Sequence, residues 1–309
     1  MANLSSGVCP KCGREVQTGW RVCPVCAEQL PDGADDVSTS SLEIEAPIWQ
    51  RRYKTLRELG HGGMGRVHLA ERLSDSRLVC LKFLYYRTDP RAAEQECRAL
   101  IRLRHPSIVS LLDFSLEDKP PWLATEYVEG PTLQSYLKEH KRLPLETVLA
   151  VLRQILEALE YAHGEHVIHR DLKPANLIID PGRGRVRILD FGLAIIDEYD
   201  HQGQVTAAGA DPLGSLLYMA PEQLLGQMLT DACDIYAVGL IVWEMLTGRA
   251  VFDGKTRSEM MFDKVTRTEG FALEETQLSL PPGLRSFVVA ATRPRALARP
   301  SARDGLALC

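Results

Sequence analysis

No segment of this chain is long and apolar enough to cross a membrane. Among its most apolar stretches is Ala237–Leu246, and even that is broken by Gly239 and Glu244. The N-terminus shows no basic segment followed by an apolar run, so no secretory signal is expected. Neither sign of charge dominates: a net charge of −5 over 309 residues gives no general nucleic-acid or membrane-surface role. No internal repeat with a period of about 20–50 residues is present, which excludes solenoids and propellers. Cysteines are not spaced through the chain as a secreted disulfide framework would require.

The eight cysteines are instead unevenly placed. Cys9, Cys12, Cys23 and Cys26 crowd the beginning, and Cys80, Cys97, Cys233 and Cys309 stand singly. Two C-x-x-C pairs so close together point to metal in a reducing compartment, hence to the cytoplasm. Four thiolates suit one tetrahedral ion, with Zn²⁺ the default; iron and a redox dithiol are the alternatives. Gly13 suits the tight turn of a knuckle. So short a segment cannot build its own core, so structural zinc would supply the folding energy of residues 1–30. The spacing resembles zinc ribbons and rubredoxin-like knuckles. A protein partner, a nucleic-acid contact or a simple cap would each suit it, although Lys11, Arg14, Trp20 and Arg21 are too few for a nucleic-acid patch.

Residues 31–47 are acidic and rich in Ser, Pro and Gly, which reads as a flexible linker. A folded domain is expected from residue 48 to 309. Its front reads as short strands at Tyr53–Leu59, Val67–Ala70 and Leu78–Leu84, followed by a helix over Arg91–Arg104. Beyond Gly130 the pattern is mostly helical. In Pro144–His163, residues Val148, Val151, Leu152, Ile155, Leu159 and Ala162 form one apolar stripe, and Asp231–Leu246 is apolar nearly all round and therefore buried. The expected class is α+β: a small strand-rich lobe joined to a larger helical lobe.

Chemistry concentrates in a few motifs. GHGGMGRV, residues 60–67, lies between two candidate strands; its glycines let backbone approach phosphate oxygens. A Rossmann turn would lead from strand to helix, so the context decides against it. There follow Val79-Cys80-Leu81-Lys82, His169-Arg170-Asp171-Leu172-Lys173-Pro174-Ala175-Asn176, Asp190-Phe191-Gly192 and Ala220-Pro221-Glu222. In this order, over residues 53–306, they resemble the eukaryotic-type protein kinases, and GHGGMGRVHLA with YMAPEQ is most like the bacterial serine/threonine kinases.

That resemblance implies a bilobal kinase fold with an N-lobe over 48–124, a hinge over 125–130 and a C-lobe over 131–309. It implies ATP and Mg²⁺ as cofactors and Ser/Thr hydroxyls of proteins as acceptors. Gly60, Gly62, Gly65 and Val67 would cover the nucleotide. Lys82 would hold its phosphates, oriented by Glu96, which fits the family's pattern with Leu100, Leu103, His105 and Pro106 better than Glu94 does. The short spacing between Lys82 and Glu96 implies a trimmed loop before that helix or a trimmed first turn. Asn176 and Asp190 would bind Mg²⁺, Asp171 would act as base, and Lys173 would steady the γ-phosphate. Thr125 would be the gatekeeper, with Glu126 C=O and the Val128 backbone against adenine and Cys80 and Ile178 helping Val67 enclose it. Cys80 stands where the family commonly has alanine.

Further positions follow from the same resemblance. Asp234 would tie down the catalytic loop, and Glu222 and Arg299 would form a buried ion pair. Leu100, Leu111, His169 and Phe191 would form an apolar spine. Lys173, Pro174 and Ser215 match serine/threonine rather than tyrosine kinases. Arg170 would dock a phosphorylated activation segment, and Thr206 is the only Ser or Thr between Asp197 and Gly214. Two alternatives remain open at this point: a pseudokinase, and a zinc-ribbon adaptor scaffold.

Overall fold

The computed structural model describes residues 6–9, 11–12, 15–17, 47–62, 65–84, 94, 97–191, 212–273 and 280–308. At the N-terminus β1 (Ser6–Val8) and β2 (Glu15–Gln17) pair antiparallel, Val8 opposite Glu15. Cys9 follows β1 directly, and Cys12 lies in a turn before β2.

A short helix, α1 (Ile48–Arg52), leads into an antiparallel five-stranded sheet. Its strands are β3 (Tyr53–Gly62), β4 (Gly65–Arg72), β5 (Leu78–Leu84), β6 (Leu111–Ser115) and β7 (Trp122–Glu126), in spatial order β3-β4-β5-β7-β6. The expected strands are therefore present, each of the first two longer than its apolar run. Backbone pairing extends them into the glycine segment, to Gly62 opposite Gly65. Side chains alternate across the sheet. Val79 and Leu81 join Tyr53, Ala70, Trp122 and Ala124 in a small core, while Cys80 and Lys82 fall on the opposite face. Trp49 of α1 closes that core from outside, its ring 4.9 Å from Phe83 and edge-on to it. Trp122 is fully buried, and its indole N–H is satisfied by Asp118 Oδ2 at 2.6 Å.

Residues 97–100 are helical. The helix expected to continue to Arg104 tightens and ends after Leu100: Arg102 N and Leu103 N each bond three residues back, to Ala99 O and Leu100 O. Arg104 N turns to the Tyr161 hydroxyl at 3.0 Å. A contact from another helix thus replaces a helical hydrogen bond.

The second lobe contains α2 (Leu133–His140), α3 (Leu145–Gly164), the hairpin β8 (Leu177–Asp180) and β9 (Arg185–Ile188), α4 (Pro212–Tyr218), α5 (Pro221–Leu224), α6 (Ala232–Thr247), α7 (Arg257–Thr266), α8 (Pro282–Ala291) and α9 (Ala302–Leu308). Thr132 caps α2, accepting from Ser135 N at 3.1 Å. Thr256 and Glu259 form a reciprocal capping box on α7. The predicted stripe of α3, from Val148 to Ala162, is buried. Nearly every residue of α6 from Ala232 to Val242 is buried as well, which explains why its apolar pattern has no polar face. One continuous core runs from Leu100 and Leu111 through Phe191 into α3 and α6, so the two lobes share packing where the site lies. Among the described residues no helix is long and apolar enough to cross a membrane.

Candidate active site

The glycine segment is the turn end of a strand–strand hairpin, with Gly60 opposite Val67 and Gly62 opposite Gly65. Gly65 has φ +149°, and a Cβ there would fall 1.8 Å from Phe83 O, so no side chain fits. Val67 pairs in register with Lys82. Lys82 is 7% exposed, and its Nζ donates to Asp190 Oδ2 at 3.3 Å, across 108 positions of sequence. Glu94 is engaged by Arg98 one turn on, at 2.7 Å. Glu96 lies outside the described residues, as do Gly192, Thr206, Cys23 and Cys26.

Across the cleft, the segment 169–176 is held by one buried carboxylate. Asp234, at the start of α6, accepts from His169 N at 2.8 Å and Arg170 N at 2.9 Å, and its Oδ2 lies 2.8 Å from His163 Nε2. Burial on its own would raise the Asp234 pKa, but hydrogen bonding to His163, its charge and the neighbouring amide outweigh burial and hold it below the usual value. Gln223 Nε2 donates to Arg170 O at 2.7 Å. These bonds fix Arg170 at φ 68°, and Asp190 sits at φ 54°. Both lie in the left-handed region, a strain that persists only where surroundings over-determine it.

The result is a tight polar group. Lys173 Nζ donates to Asp171 Oδ2 at 2.7 Å and to Ser215 Oγ at 2.6 Å. Asn176 Nδ2 donates to Asp171 O at 2.8 Å, which orients its amide. Leu189 N donates to Asn176 O at 2.9 Å, and His169 Nε2 lies 2.8 Å from Leu189 O, tying the segment 169–176 to the residue before Asp190. The His169 and Phe191 rings meet at a tilt of 58° with centroids 4.7 Å apart, both buried, as are Leu100 and Leu111. All four residues expected in the spine are thus buried.

On the sheet side, Cys80 lies opposite Thr125 in register. Burial, and then the Asp190 charge, push the Cys80 thiol up to about 11, so it sits there as a neutral small group. Glu126 N donates to Ser110 O at 3.1 Å. Val128 and Ile178 are half-buried, and a Cβ on Gly130 would touch Ile178 Cγ2 at 3.0 Å. An ion pair that the motifs did not announce joins Glu126 to Arg187 of β9, and Arg187 Nη2 also reaches Ile108 O at 3.2 Å. Nothing local in sequence marks Arg187, because its partners come from β7 and from the segment before β6.

Below the site, Arg299 and Glu222 form a buried bidentate pair at 2.5 and 2.8 Å. Arg299 is further satisfied by the carbonyls of Ala232, Arg293 and Pro294.

The donor types suit the expected groups. The Asp190 carboxylate and the Asn176 amide are hard oxygen ligands of the kind Mg²⁺ takes beside phosphates. Lys82 supplies a cation at the mouth of a glycine hairpin. At the N-terminus, Cys9 is buried and Cys12 exposed. Among the described residues no three His, Cys, Asp or Glu side chains gather to hold a metal.

Comparison with known proteins agrees with this geometry. The protein kinase domain family matches residues 53–307. The chain is 35% identical over 249 residues to the serine/threonine-protein kinase PrkC of Bacillus subtilis, covering 78% of this chain and 37% of that protein. It is 38% identical over 211 residues to pkn3 of Myxococcus xanthus, 65% of this chain and 39% of that protein. Against Pkn1 of the same organism it is 32% identical over 274 residues, 81% and 37%. The chain therefore spans less than two-fifths of the length of these relatives. With the motifs assembled in one cleft and the family matched over most of its length, the chain belongs to the protein kinase family.

Proposed function

We propose that the protein is an active, cytoplasmic serine/threonine kinase that transfers the γ-phosphoryl group of ATP to Ser or Thr hydroxyls of protein substrates. The observation that carries this is the Asp171–Lys173–Ser215 chain of contacts at 2.7 and 2.6 Å. It sets a carboxylate and a cation side by side next to Asn176, whose carbonyl accepts from Leu189 N, the residue before Asp190 of the Lys82–Asp190 pair.

Each side chain has a role in that reaction. Asp171 takes up the proton of the incoming hydroxyl and aligns its oxygen. Lys173 lies against Asp171 and neutralises charge that develops on the transferred group. Lys82 orients the phosphates; Glu96, its expected partner, lies outside the described residues. Asn176 and Asp190 hold Mg²⁺, which when bound offsets phosphate charge. Gly60, Gly62, Gly65, Val67, Cys80 and Ile178 enclose the nucleotide, while Glu126 and Val128 present backbone groups to the base. Because most of this is positioning and electrostatics, loss of one group lowers rate far more than stability. A pseudokinase or adaptor reading has no use for so complete a set.

Arg170 supports control by autophosphorylation at Thr206. Its Nε is buried without an acceptor among the described residues, as expected of a guanidinium awaiting an anion. The division into a zinc ribbon (1–30), a linker (31–47) and a kinase domain (48–309) belongs to the same reading. It is supported by Cys9 directly after β1 and Cys12 in the turn before β2, the place of a zinc knuckle. A protein partner is the natural ligand of that ribbon.

The deciding experiment is Asp171→Asn. Transfer of radiolabelled phosphate to protein should fall by about a thousandfold or more, with the unfolding midpoint nearly unchanged. Substantial residual turnover would remove Asp171 from the role of base.

A further inference from the structure

Lys264 is an unusual residue for a helix on the outer lobe. It lies on α7, where Arg257 and Glu259 are exposed and Asp263 pairs with Lys255 and Arg267 beyond the helix ends, yet it is 1% exposed and among the largest fully buried side chains. Its Nζ donates to Leu216 O at 2.8 Å, Leu217 O at 2.9 Å and Met219 O at 2.6 Å. An ammonium has three protons, and here each has an acceptor. The rings of Phe252 and Tyr236 flank it at 4.7 and 5.5 Å from their centroids. Burial pushes its pKa well below the usual lysine value. The three carbonyl oxygens oppose that loss of charge, two of them at the negative end of α4.

The position of those carbonyls gives the lysine its meaning. Leu216 and Leu217 lie in the last turn of α4, where carbonyls lack helical partners. The residue before them is Ser215, whose hydroxyl accepts from Lys173 at 2.6 Å. Met219 leads into Ala220, whose N–H donates to Gln223 Oε1 at 2.9 Å, and Gln223 in turn holds Arg170 O. The stretch 215–220 is therefore pinned from both sides: by the catalytic loop on one face and by a single lysine from α7 on the other.

We infer that Lys264 is a positioning residue for the acceptor side of the site, clamping the carbonyls of Leu216, Leu217 and Met219 so that Ser215 stays in place beside Lys173 and Asp171. The inference rests on the phosphotransfer reading above. Lys264 touches neither substrate; it acts through the segment it holds. Its removal takes the shared donor from three carbonyls, that of Leu216 buried and those of Leu217 and Met219 half-buried, and the segment is released while the nucleotide side, built on β3–β5 and Asp190, is not.

The test uses the full chain and Lys264→Met, which keeps side-chain length and apolar bulk. For a degenerate Ser/Thr peptide mixture, kcat/KM is expected to fall about tenfold or more, a loss of about 1.4 kcal/mol of transition-state stabilisation. Affinity for a fluorescent ATP analogue should stay within about twofold of the parent, a change of less than about 0.4 kcal/mol. Amide exchange should quicken across 215–220 and remain as in the parent across α6. Thr256→Ala is the control, since it loosens the same helix at its exposed cap without touching the carbonyls. It should reproduce neither the kinetic split nor the local exchange. If Lys264→Met does not fold by circular dichroism, Lys264→Gln is judged by the same criteria. The inference fails if peptide turnover and nucleotide affinity fall together, if Thr256→Ala gives the same split, or if exchange across 215–220 is unaltered. A parent enzyme that phosphorylates no peptide would overturn the functional reading, and the exchange measurement would then decide the role of Lys264 separately.

Discussion

Lys173 Nζ lies 2.6 Å from Ser215 Oγ while also donating to Asp171 Oδ2 at 2.7 Å. One ammonium thus couples the catalytic segment to a stretch 42 positions away. The Ser215 hydroxyl is all of that residue that this contact uses. Ser215→Ala should lower kcat for protein phosphorylation about tenfold or more with the KM for ATP nearly unchanged, because the interaction lies on the acceptor side. Ser215→Thr should restore most of the rate. Steady-state kinetics on both variants check this.

Asp234 predicts a pH signature of stability. Its folded pKa lies below the unfolded value of 3.8. The stability it contributes is therefore complete above that value and is lost as pH falls toward the folded pKa. Acid denaturation of Asp234→Asn should accordingly start from a lower stability at neutral pH and show a shallower loss below about pH 4. Chemical denaturation repeated between neutral and acid pH measures both slopes.

Glu222 and Arg299 separate a buried pair from a surface one. Arg299→Met leaves Glu222 buried without its partner and should destabilise the fold by about 3–5 kcal/mol. Arg98→Met removes the exposed pair with Glu94 and should cost at most about 0.5 kcal/mol. Urea unfolding midpoints at constant slope distinguish the two.

Thr206 and Arg170 make a paired prediction. The unphosphorylated enzyme should be slow and accelerate as it modifies itself, since a phosphate brings nearly two negative charges and three acceptor oxygens to a waiting guanidinium. Thr206→Ala should stay at the basal rate. Mass spectrometry and a rate assay on one sample read both quantities, and full activation of Thr206→Ala would place control elsewhere.

The proposed zinc ribbon is testable by elemental analysis. Zinc should be present in a ratio near one per chain, and Cys12→Ser should lower it while the kinase domain keeps its unfolding transition. Iron in place of zinc, or four reactive thiols with no metal, would overturn the assignment.

Much of the site was legible in sequence because its chemistry is local. Asp171, Lys173 and Asn176 fall within one short segment whose spacing is itself the signal, and the strand–glycine–strand order around Gly60–Gly65 already set the hairpin that the structure shows. The buried stripe of α3 and the all-round apolar α6 were legible for the same reason: periodicity reports burial. Other features were decided only by tertiary structure. The end of the helix at Leu100 depends on a hydroxyl from Tyr161, and the Glu126–Arg187 pair depends on β7 and β9 being brought to one edge. Lys264 reads in sequence as one more charge on an amphipathic helix, because hydrogen bonds to backbone carbonyls leave no trace in residue identity. The sequence by itself determined which groups are candidates for the chemistry; packing between elements distant in the chain decided what holds them in place.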